Sequence, residues 1–534
     1  MAFKQKLSGG TFIIAAIAVL FFFSSLILMN TNSLFISPDE TANAYFAQMF
    51  AQEGSLVGEQ DGLALAFDGR VHPRSTVSVL GRLLPGSFLG LPVLYGIFVA
   101  ILGTWALWMM TPIITLMAGF ALKQIVQKVL GRRIAILSFA LFLLHPAIWY
   151  YSARGLMHNV FFVDLLVLSV WLWFVRPIQK QKKILWMNEL LAGLSLGLAL
   201  FVRTSEFSWI FLGLVALGVV FFRSLKWKQV VIGCIGFTLG LAFLFGFNTL
   251  TYGGPLTTGY TVGAESAQIT SLSAEETIDS INLFPFGFHP HTTWDHFSVY
   301  FGSMFWWLTA LSIVGLLVLI SQYRQNRKMW GVLAVGALVF AWLGLMYGSW
   351  EIHDNPDPTQ ITMANSYVRY WLPLYILTIP LVALAIRWIA DRAKTQTAKR
   401  LGAGALLLVV ILFNFHAVFS QGQDGLLKVY ETLLRSGEIQ NDILFKTEHE
   451  SLFVVDRADK LLFPQRRVWY PLRDDATYAA LPLLLESVPV YYYGITFPEE
   501  DMDYLNNSRL GNMDLGIELI ETYDQESLYQ IFKK

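Results

Sequence analysis

Charge is scarce in this chain and cysteine nearly absent. Only 14% of its 534 residues are Asp, Glu, Lys or Arg, where soluble domains carry about 25%. The single cysteine, Cys234, excludes a disulfide framework and a thiolate metal centre. With 38 basic and 38 acidic residues the formal net charge is zero, so no global excess of positive charge marks a nucleic-acid partner. No repeat of fixed period and no low-complexity tract is present. What fills the space instead is apolar: 55% of the residues are hydrophobic and 15% aromatic.

That apolar content falls into runs near 11–29, 83–104, 107–129, 134–151, 160–175, 184–202, 206–222, 229–247, 298–320, 329–347, 367–388 and 401–419. Most approach the about 20 residues that a membrane crossing takes. The first follows a short basic leader with Lys4 and Lys6, is long for a secretory signal and has no small-residue cleavage site after it, so it reads as an anchor. Basic clusters at 123–133, 176–183, 223–228, 324–328 and 387–400 all fall on the cytoplasmic side if 83–104 does not cross. That run also holds Pro85, Gly86, Gly90, Pro92 and Gly96, and reads as a helix lying on or dipping into the outer face.

The expectation is therefore a polytopic α-helical membrane protein of about 11 spans in the plasma (inner) membrane, with its N-terminus in the cytoplasm. Residues 1–420 form the transmembrane domain, with outer loops at 31–106 and 248–297. Residues 421–534 form a small extracytoplasmic α/β domain, with strands at 451–456, 467–470 and 488–493 and helices near 477–487 and 499–507.

The zero net charge is then a cancellation. Residues 1–420 carry 27 bases and 18 acids, and the tail carries 11 and 20. Of those 27 bases, six lie outside in this topology, and all are arginine: Arg70, Arg74, Arg82, Arg154, Arg203 and Arg369. Arginine offers a planar fork of donors matched to phosphate, so several of these are candidates to hold a phosphate at the outer surface, against snorkelling and salt bridging as the plainer roles.

Directly after the first run stands Ser37-Pro38-Asp39-Glu40. Ser37 and Glu40 have the spacing of a helix capping box, which leaves Asp39 without a structural duty. A carboxylate just above the bilayer suits a general base or a grip on an acceptor hydroxyl.

These residues also carry a resemblance. Pro38-Asp39-Glu40-Thr41 with Tyr45 after the first span resembles the GT-C membrane glycosyltransferases, nearest to family 39 and aminoarabinose-transferase-like members. His72-Pro73 resembles that family's His-Pro-Pro element, with Arg74 replacing the second proline. Arg154-Gly155, Phe201-Val202-Arg203-Thr204, the stretch Tyr252-Gly253-Gly254-Pro255 with Thr258-Gly259-Tyr260, and Arg369-Tyr370-Trp371-Leu372-Pro373 resemble further elements in the family's order.

The resemblance implies transfer of a sugar from a polyprenyl-phosphate donor to a glycan, lipid or protein acceptor on the outer face, with inversion. It assigns Asp39, supported by Glu40, to the acceptor hydroxyl. Arg369, Arg203, Arg74, Arg154 and His72 go to the donor phosphate, and Tyr45, Tyr260, Tyr367 and Tyr370 to a groove shared with membrane lipid. A glycan ligase or oligosaccharyltransferase is the alternative enzyme, and a lipid-linked sugar flippase the alternative without chemistry.

No cofactor is demanded. A divalent cation is a weaker reading, with His289, His291 and Asp354 as its candidates, and their spacing fits no standard zinc pattern. Asp164, within the fourth span, reads as a buried hydrogen-bonding group, and Arg203 is spaced to pair with Glu206.

Overall fold

The computed structural model of the chain describes residues 9–31, 33–67, 69–175, 186–263, 285–352 and 360–534. The chain divides into two compact units. One comprises Met1–Leu28, Trp108–Leu244 and Thr277–Lys428; the other comprises Met29–Leu107, Phe245–Glu276 and Val429–Lys534.

Seven helices among the described residues are long and apolar enough to cross a membrane, or up to nine if each of two bent pairs is one span. The chain is a multi-pass membrane protein. Two further apolar helices, Gly10–Ser25 and Met187–Val202, are shorter. Helix faces turned outward are apolar, as at Phe211, Val219, Leu408 and Leu412, each more than half exposed.

In the first unit, small residues let helices meet backbone to backbone. A Cβ on Gly193 would lie 1.9 Å from the Gly233 carbonyl oxygen, and one on Gly236 would lie 2.0 Å from that of Leu190. Met187–Val202 and Trp227–Tyr252 therefore cross at a seam where only glycine fits, the small-xxx-small pattern of membrane helices. Asp164 is buried in the helix His158–Val175 and accepts a hydrogen bond from the Thr115 hydroxyl at 2.5 Å.

Two expected spans are not straight. Arg132–Leu143 and Pro146–Ala153 meet at 47°, where His145 caps the second helix and Pro146 lacks the N–H that would continue the first. The expected span 298–320 is corrected more strongly. Its first part is a π-helical stretch, Ser298–Met304, which continues Pro290–Phe297 and turns by 98° before Trp306–Gln322.

The second unit begins with the helix Pro38–Glu53, which crosses Gly90–Leu102 at Gly96. A Cβ there would lie 2.9 Å from the Ala47 carbonyl oxygen. The expected helix over 83–104 is helical only from Gly90. Before it, β3 (Arg82–Pro85) pairs antiparallel with β2 (Thr76–Val79) and with β1 (Gly58–Glu59), and Pro85 with Gly86 ends the strand.

The tail residues build a five-stranded mixed sheet in the order β5-β4-β6-β8-β7. Its members are β4 (Leu452–Val455), β5 (Arg467–Trp469), β6 (Val490–Ile495), β7 (Leu515–Tyr523) and β8 (Glu526–Lys533). Strand β4 is parallel to β5 and β6, and β8 is antiparallel to β6 and β7.

Alternation sorts the sheet's residues onto two faces. Leu452 and Val454 join Trp469, Tyr492 and Leu481 of the helix Asp475–Ser487. Phe453 and Val455 join Tyr491, Tyr493 and Ile443 of the helix Leu426–Lys446. The first of these cores also takes in Ala64 and Val71 of the first loop, and Val71 bridges Trp469.

Candidate functional site

Asp39 is placed by the start of its helix. The Ser37 hydroxyl accepts from the Asp39 N–H at 3.2 Å, and the Ser37 N–H donates to the Glu40 carboxylate at 3.2 Å, with Pro38 in the first helical turn. Glu40 is buried and closes the capping box. Asp39 is half-buried, and its Oδ1 accepts from the Ser75 hydroxyl at 2.6 Å.

Ser75 has φ +62°, a left-handed backbone that side chains other than glycine rarely adopt. It is held there by a close approach. The Gly86 N–H donates to the Ser75 carbonyl at 3.0 Å, and a Cβ on Gly86 would lie 2.7 Å from the Ser75 carbonyl carbon. The 252–260 stretch seats on the same corner. The Tyr252 hydroxyl reaches the carbonyls of Pro85 at 2.7 Å and Ser87 at 3.0 Å, and a Cβ on Gly259 would collide with Gly86. Tyr260 is 59% exposed, with its ring 5.2 Å from Phe88.

The other candidates of this unit have different partners. Arg74 donates from its backbone N–H and its guanidinium to Asp459 at 2.6–2.9 Å, and to the Arg457 carbonyl at 2.8 Å. Its fork is thus engaged by a carboxylate rather than open to a phosphate. Arg70 pairs with Asp474 at 2.8 Å. The His72 Nδ1 donates to the Pro73 carbonyl at 2.9 Å, and burial pushes the imidazole below its ordinary value. At neutral pH it is an uncharged ring, not a cation. Tyr45 packs edge-on against Phe463 at 4.8 Å, and burial, with Glu53 adding to it, raises its hydroxyl above the usual range.

In the first unit two of the candidate arginines meet at one tyrosine ring, and a third stands close by along the chain. Arg203 terminates the helix Met187–Val202, Arg154 terminates Pro146–Ala153, and Arg369 lies in the short helix Ser366–Tyr370. The Tyr370 ring is approached by the guanidinium of Arg203 at 4.6 Å and by that of Arg369 at 5.2 Å. Arg369 also reaches the Ser366 hydroxyl at 2.9 Å and the Met157 sulfur at 3.0 Å. Arg154, three residues before Met157, lies over the rings of Tyr150 and Tyr151.

Arg203 is buried and ion-paired with Glu206, which also accepts from Trp209 at 2.5 Å and Tyr347 at 2.5 Å. Tyr370 stacks with Tyr347 at 4.7 Å and with Trp350 at 5.8 Å. Tyr367 is buried, donating to the Trp350 carbonyl and accepting from the Ile352 N–H at 3.1 Å, so it supports this aromatic stack rather than lining an open groove.

Among the described residues no three His, Cys, Asp or Glu side chains are grouped as a metal site. His291 meets Asp295 at 3.1 Å on an exposed helix face, and the His289 N–H donates to Ser349 at 3.0 Å. Asp354 lies outside the described residues.

No family model and no curated protein sequence matches the chain. Its architecture, however, matches solved structures along most of its length. The aminoarabinose transferase ArnT from Cupriavidus metallidurans, bound to undecaprenyl phosphate, superposes with a TM-score of 0.52 and 11% identity, covering 97% of each chain. The chain has the fold of that protein. The Archaeoglobus fulgidus oligosaccharyltransferase, in complex with Zn and sulfate, shares it at a TM-score of 0.51 and 13% identity, over 90% of this chain and 68% of that one. Within this fold, the sequence singled out Asp39 and the arginines, and marked Asp459 only as part of the strand end Val454–Lys460; it gave no signal for Ser75 or Tyr347, whose partners lie 36 and 144 residues away.

Proposed function

We propose that this protein is a glycosyltransferase that moves a sugar from a polyprenyl-phosphate donor to an acceptor hydroxyl on the extracytoplasmic face. The observation that carries the reading is the meeting of Arg203 and Arg369 on the Tyr370 ring, with Arg369 also on Met157, three residues after Arg154. Each stands at or beside a helix end, and further basic residues stand at opposite helix ends: Arg132 and Arg327 open their helices, Arg223 lies in Phe222–Ser224 and Arg387 in the last turn of Leu372–Ala390. In the orientation this implies, the lysine-bearing ends and the N-terminus are cytoplasmic, and these three arginines and the tail are outside. All the apolar helices cross, the two bent pairs and the two shorter ones included, for eleven spans.

In the reaction, Asp39 takes the proton of the acceptor hydroxyl as its oxygen attacks the anomeric carbon. The bond from that carbon to the phosphate oxygen breaks, and the electron pair leaves on the polyprenyl phosphate. Arg369 and Arg154, with Arg203 behind Tyr370, meet the charge that grows on the phosphate. A single displacement inverts the anomeric centre. Arg74 and His72 hold backbone around Asp39, and Tyr260 faces lipid or donor.

The test is consumption of a set of polyprenyl-phosphate sugars by the purified protein. Donor loss with inverted product is expected in wild type. Asp39→Asn should lose turnover by about 100- to 10,000-fold while still binding donor. Wild-type turnover in Asp39→Asn would remove the base assignment; movement of donor across a vesicle bilayer without cleavage would make the protein a flippase.

A further inference from the structure

The loop after β4 contacts the Asp39 helix and its surroundings at two points. Strand β4 is fully buried and flanked on both sides by parallel strands, so the residues that leave its C-terminal end start from a fixed place. There the chain reads Asp456-Arg457-Ala458-Asp459-Lys460. The Asp459 side chain is only 1% exposed. It accepts from the Arg74 backbone N–H at 2.9 Å, from Nε at 2.9 Å and from Nη2 at 2.6 Å. Arg74 is further fixed by the Arg457 carbonyl at 2.8 Å and by the face of Tyr470. The next residue is Lys460, whose Nζ donates to the Ile36 carbonyl at 2.5 Å.

Arg74 immediately precedes Ser75, whose hydroxyl donates to Asp39. Ile36 immediately precedes Ser37, whose hydroxyl caps the Asp39 N–H. Two consecutive tail residues thus hold the backbone one residue ahead of each hydroxyl that touches Asp39. The left-handed conformation of Ser75 is of the kind that persists only where its surroundings over-determine it. A fork closed on a buried carboxylate, with the backbone N–H of the same residue on that carboxylate too, is such a constraint.

We infer that Asp459 and Lys460 are positioning residues for Asp39, and that the tail sets the rotamer of the reacting carboxylate instead of only standing beside the membrane. This rests on the assignment of Asp39 as the base.

The experiment uses the full-length protein in lipid nanodiscs with a radiolabelled polyprenyl-phosphate sugar that it consumes. Turnover, KM for donor and acceptor, and the number of donor-binding sites per chain are measured. Asp459→Asn is expected to lower kcat on the order of 100-fold, the scale of a misplaced reacting group, with both KM values and the number of donor sites unchanged. Lys460→Met should give the same split at about 10-fold, and carries the test alone if Asp459→Asn does not fold.

A fall in kcat matched by an equal fall in donor sites would overturn the inference, since that is simple loss of folded protein. Wild-type kcat in both tail variants beside an inactive Asp39→Asn would overturn the positioning role alone. Wild-type kcat in Asp39→Asn would overturn the base assignment and the positioning role together.

Discussion

The two units use arginine differently. In the unit that holds Asp39, Arg70 and Arg74 close their forks on Asp474 and Asp459. In the other, the contacts of Arg154 and Arg369 described above are with tyrosine rings, hydroxyls and a thioether sulfur. Arg203 lies in the first unit with Arg154 and Arg369 but, like Arg70 and Arg74, meets a carboxylate: Glu206 takes its charge while Tyr370 takes its face. The guanidinium plane serves both ends: its edge matches a carboxylate and its face an aromatic ring. A fork on a carboxylate fixes backbone, and a plane on a ring fixes the arginine's own side chain.

The widest break of this comparison is Arg369→Ala. It is expected to weaken donor binding about 10- to 100-fold, the worth of a hydrogen bond to a charged group, in a binding assay with labelled donor. Arg369→Lys should recover little, since an ammonium has neither fork nor plane. Unchanged donor affinity in Arg369→Ala would leave the ring-stacked arginines with a packing role only.

His72→Asn sharpens the other side. The folded imidazole is held below its ordinary value, so the unfolded chain binds the proton first as pH falls. The stability from neutral burial is complete above about pH 6.5 and is lost progressively toward the folded value below it. The wild-type melting temperature should thus drop between about pH 6.5 and 5, and the asparagine variant, which keeps a donor for the Pro73 carbonyl, should flatten that slope. An equal slope in both would mean that His72 carries no such linkage.

The smallest effect is Arg70→Ala. Both partners of the Arg70–Asp474 pair are about a quarter to a third exposed, and such pairs contribute about 0–1 kcal/mol. Denaturation of the variant should differ from wild type by no more than that, and activity should not change.

How far this was legible in the sequence depends on the reach of each interaction. The capping box at Ser37–Glu40 and the Arg203–Glu206 pair are local, and spacing of three residues announces them. Apolar runs likewise mark the helices. The 98° turn before Trp306 was invisible, because 298–320 is apolar on both sides of the break and no proline stands there.

In the tail, β4, β5 and β6 lie on the stretches read as strands. The hairpin of β7 and β8 was missed: its turn is Asp524-Gln525, with Asp524 at φ +57°, and lacks the glycine that usually announces such a turn. Asp39 stood out by elimination, as the acid the cap did not need. Ser75 could not, since it acts through the approach of Gly86; the end of β4 that holds Asp459 was legible as a strand end, but its partner Arg74, 385 residues away, was not.

The glycine seam between Met187–Val202 and Trp227–Tyr252 bears on motion. With main chain against main chain, a slide by one residue would bring a side chain to where a carbonyl now stands 1.9 Å from a bare Cβ position. The two helices must travel as one body. Any rearrangement of these helices has its hinge at contacts made by side chains, which can change rotamer, and not along this seam.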